Sequence, residues 1–484
     1  MPRKTQRIAT LAWYNFLPTH YSISFSKSIL FHIIARNICI NCTNALKRVQ
    51  KVISSLQEKL FNYIDEHLTL YLNELKQFNI SEPLQTHSEE RQNHILECIQ
   101  KQGIRTQLLG SDPPLIYGEL NTGGSKTLLL YSHLNFASRD AKDPVYAVPV
   151  CACLAAIDAY QHVVGTLPVT VKWLIDAGEE ETGNPHLTGV IEQHRNLLQA
   201  DGCLWISNCV TEDVDGSRPV LLLGTRGFLS VELEARTSDL DLDSRDGTIV
   251  PNAAWRLTWA LGCIKDAREE ILIEGFYDTI APLEDEEIAL LHNLPDSSGI
   301  LAQQRGMEQL LMDLHGFQLN YTRLLVPTCT ITSIHAGSIA ENPPAVIPGK
   351  ARAFLDFYLV PDQDPWDIFS KLQRHLQEYD FQDVQVRMLN GSRPARTPTN
   401  DPFVEAVRRA TTAAYGIAPF ILPMGSESNS IETFQRILDL PVVSTTTGFS
   451  ELDEDTRKRV FAASIKQLAT TFEEIHGNAI NTTA

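Results

Sequence analysis

Two periodicities alternate along this chain, and their order predicts its architecture. Ile53, Leu56, Leu60, Tyr63, Ile64, Leu68, Tyr71 and Leu75 recur at three- and four-residue intervals, which predicts an amphipathic helix over 52–78. Pro83 breaks it, and 88–102 reads as a second helix. Short β-type runs come next at 106–110 and 114–120, and a Gly123-Gly124 turn leads into Thr127-Leu-Leu-Leu-Tyr-Ser-His-Leu-Asn135, a continuous apolar strand ending in polar groups. An apolar helix is expected at 148–164, then a strand at 168–175, a helix at 187–200 and buried strands at 203–208 and 220–223. Beyond Gly227 the pattern changes to half-buried alternation. Strand 228–235, helix 250–265, strands 327–334 and 351–359, helix 366–379 and strand 383–389 describe a small α+β unit. Asn390 to Asn400 has the Gly, Ser and Pro content of a linker. Helices at 402–415 and 431–437, a strand at 441–445 and a long helix at 453–476 complete the chain.

The strand–helix–strand run over 127–175 is a βαβ unit, so its polar residues collect at the carboxyl edge of a parallel sheet. His133 stands at one strand end, and Asp176-Ala-Gly-Glu-Glu-Glu-Thr-Gly183 succeeds the other. An imidazole and adjacent carboxylates delivered to one edge suit a divalent metal and a general base.

Length and charge narrow the class. At 484 residues the chain exceeds one ordinary core, and 43% apolar with 8% aromatic residues describes a globular protein. A formal charge of −18 argues against a nucleic-acid partner. Nine cysteines without framework spacing read as reduced thiols in a cytoplasmic protein. Cys39-x-x-Cys42 has no second pair to complete a metal shell, and Cys151-x-Cys153 lies on an apolar helix, so both are read as structural. The first 57 residues carry eight Lys or Arg and no acid before Glu58, a composition open to two readings: a transit peptide or an over-extended start. Lys27, His32 and Arg36 interrupt the apolar stretch 23–42, so no membrane span is expected there.

Five segments in register carry a resemblance. Tyr131-Ser-His133 with Asn135, Gly178-Glu-Glu-Glu-Thr-Gly-Asn184, Gly224-Thr-Arg-Gly-Phe228, Val250-Pro-Asn252, and Val346-Ile-Pro-Gly-Lys-Ala351 with Leu359-Val-Pro-Asp-Gln-Asp-Pro365 resemble motifs of one family. It is the zinc metallopeptidase family of carnosine dipeptidase, carboxypeptidase G, acetylornithine deacetylase and aminoacylase. The resemblance implies an α/β catalytic-type domain, a mixed and mostly parallel sheet between helices, over 50–225 and 396–478. It also implies an inserted ferredoxin-like α+β lid and dimerisation domain over 226–395, a basic extension at 1–49 and a tail at 479–484. Zinc, cobalt or manganese as cofactor, a small peptide or N-acyl amino acid as substrate, and a homodimer through the lid are further implications.

Carried over residue by residue, the family pattern assigns His133 and Glu181 as metal ligands and Glu180 as the general base. Elsewhere this chain departs from it. The aspartate that orients the first ligand is Asn135, and an amide lacks the charge for that role. The loop supplying a metal-bridging aspartate is absent, with Asp140 and Asp143 as possible substitutes. The next aspartate ligand is Asn208. No histidine stands between His375 and His476, so Glu451 or Asp453 would have to replace the last ligand. The lid histidine position holds Asp243, an anion where developing negative charge needs a donor, and the substrate-carboxylate arginine is Tyr358. Two readings result: a divergent metallohydrolase of small amides, or a non-catalytic homologue acting as a binding, regulatory or assembly subunit. The depleted ligand set favours the second.

Overall fold

The structure, a computed structural model, describes residues 55–77, 88–111, 114–133, 147–176, 185–207, 218–280, 282–338, 344–425, 430–446 and 453–481. By contacts the chain divides into Met1–Lys59 and Leu60–Ala484. The first unit is described over 55–59, the start of a helix, and the second holds every strand.

Helices α1 (55–77) and α2 (Ser88–Lys101) precede strands β1 (Arg105–Leu109), β2 (Leu115–Leu120) and β3 (Thr127–His133). Then come α3 (Val148–Val164), β4 (Thr170–Asp176), α4 (Pro185–Gln193), α5 (Arg195–Leu198), β5 (Gly202–Ser207) and β6 (Val220–Leu222). The chain leaves through β7 (Gly224–Thr225) and builds β8 (Gly227–Arg236), β9 (Leu242–Asp243), α6 (Ala253–Ile264), α7 (Asp285–His292), α8 (Ser298–Gln304) and α9 (Gly316–Leu325). Next are β10 (Thr328–Ala336), β11 (Val346–Ile347), β12 (Lys350–Leu359), α10 (Pro365–Glu378) and β13 (Val384–Ser392). It returns through β14 (Ala395–Arg396) to α11 (Pro402–Tyr415), β15 (Phe420–Leu422), α12 (Ile431–Leu438), β16 (Val442–Thr446) and α13 (Glu454–Asn481).

Eight strands form one sheet in the order β1-β2-β4-β3-β5-β16-β6-β15. Its centre, β4-β3-β5-β16, is parallel throughout, while β1, β2 and the β16–β6 contact are antiparallel. This is the mixed, mostly parallel α/β sheet expected. Alternate residues serve opposite faces. Leu129, Tyr131, Cys203 and Trp205 pack with α4, α5 and α12 in one buried cluster. Ser132 lies on the other face, its Oγ accepting from Trp173 Nε1 at 3.1 Å, where α3, α11 and α13 pack together. Gly202 is demanded by α11, because a Cβ there would stand 2.5 Å from the Phe403 ring.

The second sheet has the order β10-β12-β8-β13, antiparallel at each contact. With α6 and α10 it follows strand–helix–strand–strand–helix–strand in ferredoxin-like topology. Strand β12 alternates buried and part-buried along its length. Its buried Ala351, Ala353, Leu355, Phe357 and Leu359 meet Leu257 and Ile264 of α6 and Ile368 and Leu372 of α10. Asn252 caps α6 by accepting from Ala254 and Trp255 amides at 2.8 and 3.2 Å, which is why the helix starts after Val250-Pro251 rather than at them.

Three expectations change. The helix 187–200 is broken at His194, whose φ of −108° and ψ of 21° leave the helical range. The break lets the chain reach Asp201, which accepts from Thr127 N and Lys126 Nζ, both at 2.8 Å. The expected linker 390–400 is largely ordered: β13 runs to Ser392 across a bulge, and β14 pairs antiparallel with β7. Tertiary pairing overrides the Gly/Pro signal there. Helices α7 to α9 and strand β15 have no counterpart in the periodic pattern; Leu291, Leu294, Leu324 and Leu325 from the α7–α9 region pack on Val220, Phe420 and Leu422.

Gly224 and Gly227 are fixed by close approach at the crossing between the sheets. A Cβ on Gly224 would stand 2.4 Å from Ala395 O, and one on Gly227 2.8 Å from Pro394 N. Gly224→Ala should therefore push β7 from β14 and destabilise the fold by about 1–3 kcal/mol. Urea unfolding checks the loss, and faster amide exchange at Thr397, whose N–H donates to Leu223 O at 2.7 Å, checks its location.

Candidate active site

The parallel centre of the large sheet decides where chemistry can occur. His133 ends β3, Asp176 ends β4, Ser207 ends β5 and Thr446 ends β16, and the registers align these ends on one edge. His133 pairs with Asp176, Ser132 with Ile206, and Ser207 with Thr446. Each strand leads directly into one of the segments that hold the candidate residues. Asn135, Asp140, Asp143, Glu180, Glu181, Asn208 and Glu451 themselves lie outside the described residues.

His133 is 8% exposed and Asp176 2%. They are lateral neighbours on the same face, which Tyr131 shares two residues earlier on β3. The Tyr131 hydroxyl donates to Asp176 Oδ2 at 3.2 Å. The tyrosine ring is itself fixed, 4.1 Å from the Trp205 centroid and 5.0 Å from that of Phe434. Asp176, which the motif pattern does not mark, lies at this edge beside His133. Its signal is register: the last position of β4 faces the last position of β3.

Three other candidates, Asp243, Asp453 and Tyr358, are among the described residues. Asp243 is exposed on β9, which pairs with β11 in a separate two-stranded sheet; it caps a short 3-10 turn and accepts from Arg245 N, Nε and Nη2 at 2.9, 3.1 and 2.8 Å. These bonds hold its carboxyl below the usual range. Asp453 caps α13, accepting from Thr456 Oγ1 at 2.6 Å and the Asp455 and Thr456 amides, which likewise depress it. Tyr358 lies on β12 with its ring edge-on to Phe228 at 5.3 Å. Behind it the Arg226 guanidinium sits 5.4 Å from the ring centroid and donates to the carbonyls of Arg323, Val326 and Tyr358 at 3.1, 2.5 and 3.3 Å. Burial pulls Arg226 down to about 10. It is the arginine of the Gly-Thr-Arg-Gly segment, spent on backbone carbonyls at the junction.

Among the described residues no three His, Cys, Asp or Glu side chains group to hold an ion. One buried imidazole at the edge, with a glutamate pair following the adjacent strand, is a nitrogen–oxygen donor set that suits zinc, cobalt or manganese. Cys151 and Cys153 are buried in α3 as structural residues. Burial pushes both thiols well up, and that of Cys329 to about 12. Alkylation of the native protein at pH 8 followed by peptide mapping should leave Cys151, Cys153 and the equally buried Cys203 unlabelled, because the thiolate is the reactive form; rapid native labelling there would contradict the packing.

Residues 132–475 match Peptidase family M20/M25/M40. The chain is 25% identical over 446 aligned residues to the Beta-Ala-His dipeptidase of Rattus norvegicus, covering 81% of this chain and 88% of that one. It is 25% identical over 372 residues to a Cys-Gly metallodipeptidase of Saccharomyces cerevisiae, covering 68% and 74%. Among solved structures, an M20 family metallo-carboxypeptidase from Sulfolobus solfataricus superposes with a TM-score of 0.72 at 26% identity, covering 82% of this chain and all of that one. Human carnosine dipeptidase 1 shares the fold, with a TM-score of 0.66 at 22% identity over 87% of this chain and 99% of that one. No helix among the described residues is long and apolar enough to cross a membrane. The strand ends that gather His133 and Asp176 are thus those of a known peptidase sheet, and this chain belongs to Peptidase family M20/M25/M40.

Proposed function

We propose that this protein is a cytoplasmic metal-dependent hydrolase of small amides, dipeptides or N-acyl amino acids, with a reduced metal shell. The observation that carries this reading is the alignment of four parallel strand ends, with His133 buried at the edge and Glu180-Glu181 in the segment after β4. Dipeptidases among its relatives supply the substrate class. His133 and Glu181 would hold one divalent ion, with Asp140, Asp143, Glu451 or Asp453 completing the shell. A divalent ion held there would supply Lewis-acid polarisation of the scissile carbonyl. Glu180 acts as general base, taking a proton from the attacking water and returning it to the leaving amine. Tyr358, in place of a guanidinium, removes one contact for a substrate carboxylate.

A second reading, a non-catalytic homologue serving as a binding or assembly subunit, has its own support. Asn135 and Asn208 are amides where the family has carboxylates, and Asp243 is occupied by Arg245 within its own chain. Metal content of the purified protein, with a screen of Cys-Gly, β-Ala-His and N-acetyl amino acids in zinc, cobalt and manganese, separates the two. Hydrolysis should occur and fall about 10²–10⁴-fold in Glu180→Gln. No bound metal and no turnover in any of the three would leave the second reading standing.

The lid role of 226–395 and its homodimer belong to the same proposal. Trp255 and Trp259, one turn apart on α6, are 58% and 56% exposed with rings stacked at 5.8 Å. Strand β10 is a sheet edge, with Ile331 and Ile334 45% and 55% exposed. An aromatic helix face and an exposed edge strand each gain about 25 cal/mol per Å² of apolar surface buried against a second copy. Sedimentation at micromolar concentration should show a dimer, and Trp255→Glu with Trp259→Glu should give monomer; a wild-type monomer would refute it.

A further inference from the structure

We propose that Asp176 is the positioning residue of His133, supplying from the neighbouring strand the orienting carboxylate that position 135 lacks. The inference rests on His133 being the metal-holding imidazole of the preceding proposal. Four observations carry it. The β3–β4 ladder ends with His133 opposite Asp176, so both side chains leave the same face at adjacent positions. Both are buried, at 8% and 2%. The donation from Tyr131 to Oδ2 shows the carboxylate lying along this face, toward β3 rather than away from it. Among the described residues, Leu174, Trp205 and Phe434 form an apolar and aromatic cluster with Tyr131 on this face.

In such a medium a carboxylate without hydrogen-bonded company is strongly disfavoured. Tyr131, wedged between Trp205 and Phe434, cannot swing away and so fixes Oδ2. The proposal assigns the imidazole N–H to the other oxygen. That bond would select one ring tautomer and aim the opposite nitrogen off the strand end, toward the segments that succeed β3 and β4. Asn135 cannot do this with charge, since a neutral amide supports an imidazole less strongly than a carboxylate does. The carboxylate has in effect moved one strand sideways.

The test uses the full chain as wild type, Asp176→Asn, Asn135→Asp, the double variant and Tyr131→Phe. Zinc affinity is measured by competition with a chromogenic chelator. The tautomer of His133 is read from ring ¹⁵N shifts, assigned with His133→Gln. Asp176→Asn should weaken zinc binding about 10–100-fold and mix the tautomers, and adding Asn135→Asp should restore much of both. Unchanged affinity and tautomer in Asp176→Asn would overturn the inference while leaving the metal reading intact. If the wild type binds no zinc, the metal reading falls, and the tautomer shift alone decides whether Asp176 orients the ring. Should Asp176→Asn not fold, Tyr131→Phe reads the same coupling: lost stability with an unaltered tautomer would mean a purely structural role and overturn the proposal.

Discussion

The parallel ladder β4-β3-β5-β16 is the constraint on which the rest depends. Parallel pairing forces each connection to cross the sheet and return, so four strand ends must share one edge. Nothing about a histidine or a glutamate gathers them; backbone hydrogen bonding and the burial of Leu128–Tyr131, Trp173–Ile175 and Cys203–Ile206 do. Functional groups enter where they disturb packing least, immediately after the ends of strands whose interiors are already fixed. The site is therefore only as well aligned as the register, and a slip of one residue would exchange His133 for Ser132.

Most of the elements were legible because their periods were clean. The continuous apolar run 127–133, the apolar helix 148–164 and the alternating strand 350–359 each occupy the predicted place. Failures cluster where tertiary contacts outvote composition. Ser392 to Arg396 looks like a linker, yet its backbone finds Gly224–Thr225; α7 to α9 are short and gain their meaning from the Phe420 and Leu422 surface they cover. The site was legible in part for the same reason. His133 announces itself as a polar end to an apolar strand, whereas Asp176 matters through a neighbour on another strand, a relation that needs the register.

Charge follows the same division. The face of the four-stranded sheet turned away from α6 and α10 carries Glu232 and Glu234 among Lys350, Arg352 and Arg387, with Lys350 and Arg352 at 2.8 and 3.0 Å from Glu234. Glu232 is buried, but pairs whose cations are as exposed as these contribute little individually. Together they keep an open sheet face polar while α6 exposes its tryptophans. The molecule thus separates a wet β surface from an aromatic helical one within a single small unit.

Helices α7 to α9 leave the four-stranded unit after α6, pack on β6 and β15 of the large sheet, and return to begin β10. Glu287 of α7 pairs with Arg396 of β14, and the end of α9 receives the Arg226 guanidinium. Mechanically this is a brace across a joint that already has bonded crossings at β7 and β14. A braced joint resists swinging. Any large rearrangement of the two sheets must first release the leucine contacts of the brace, so its rate would be governed by local unfolding rather than by rotation about a hinge.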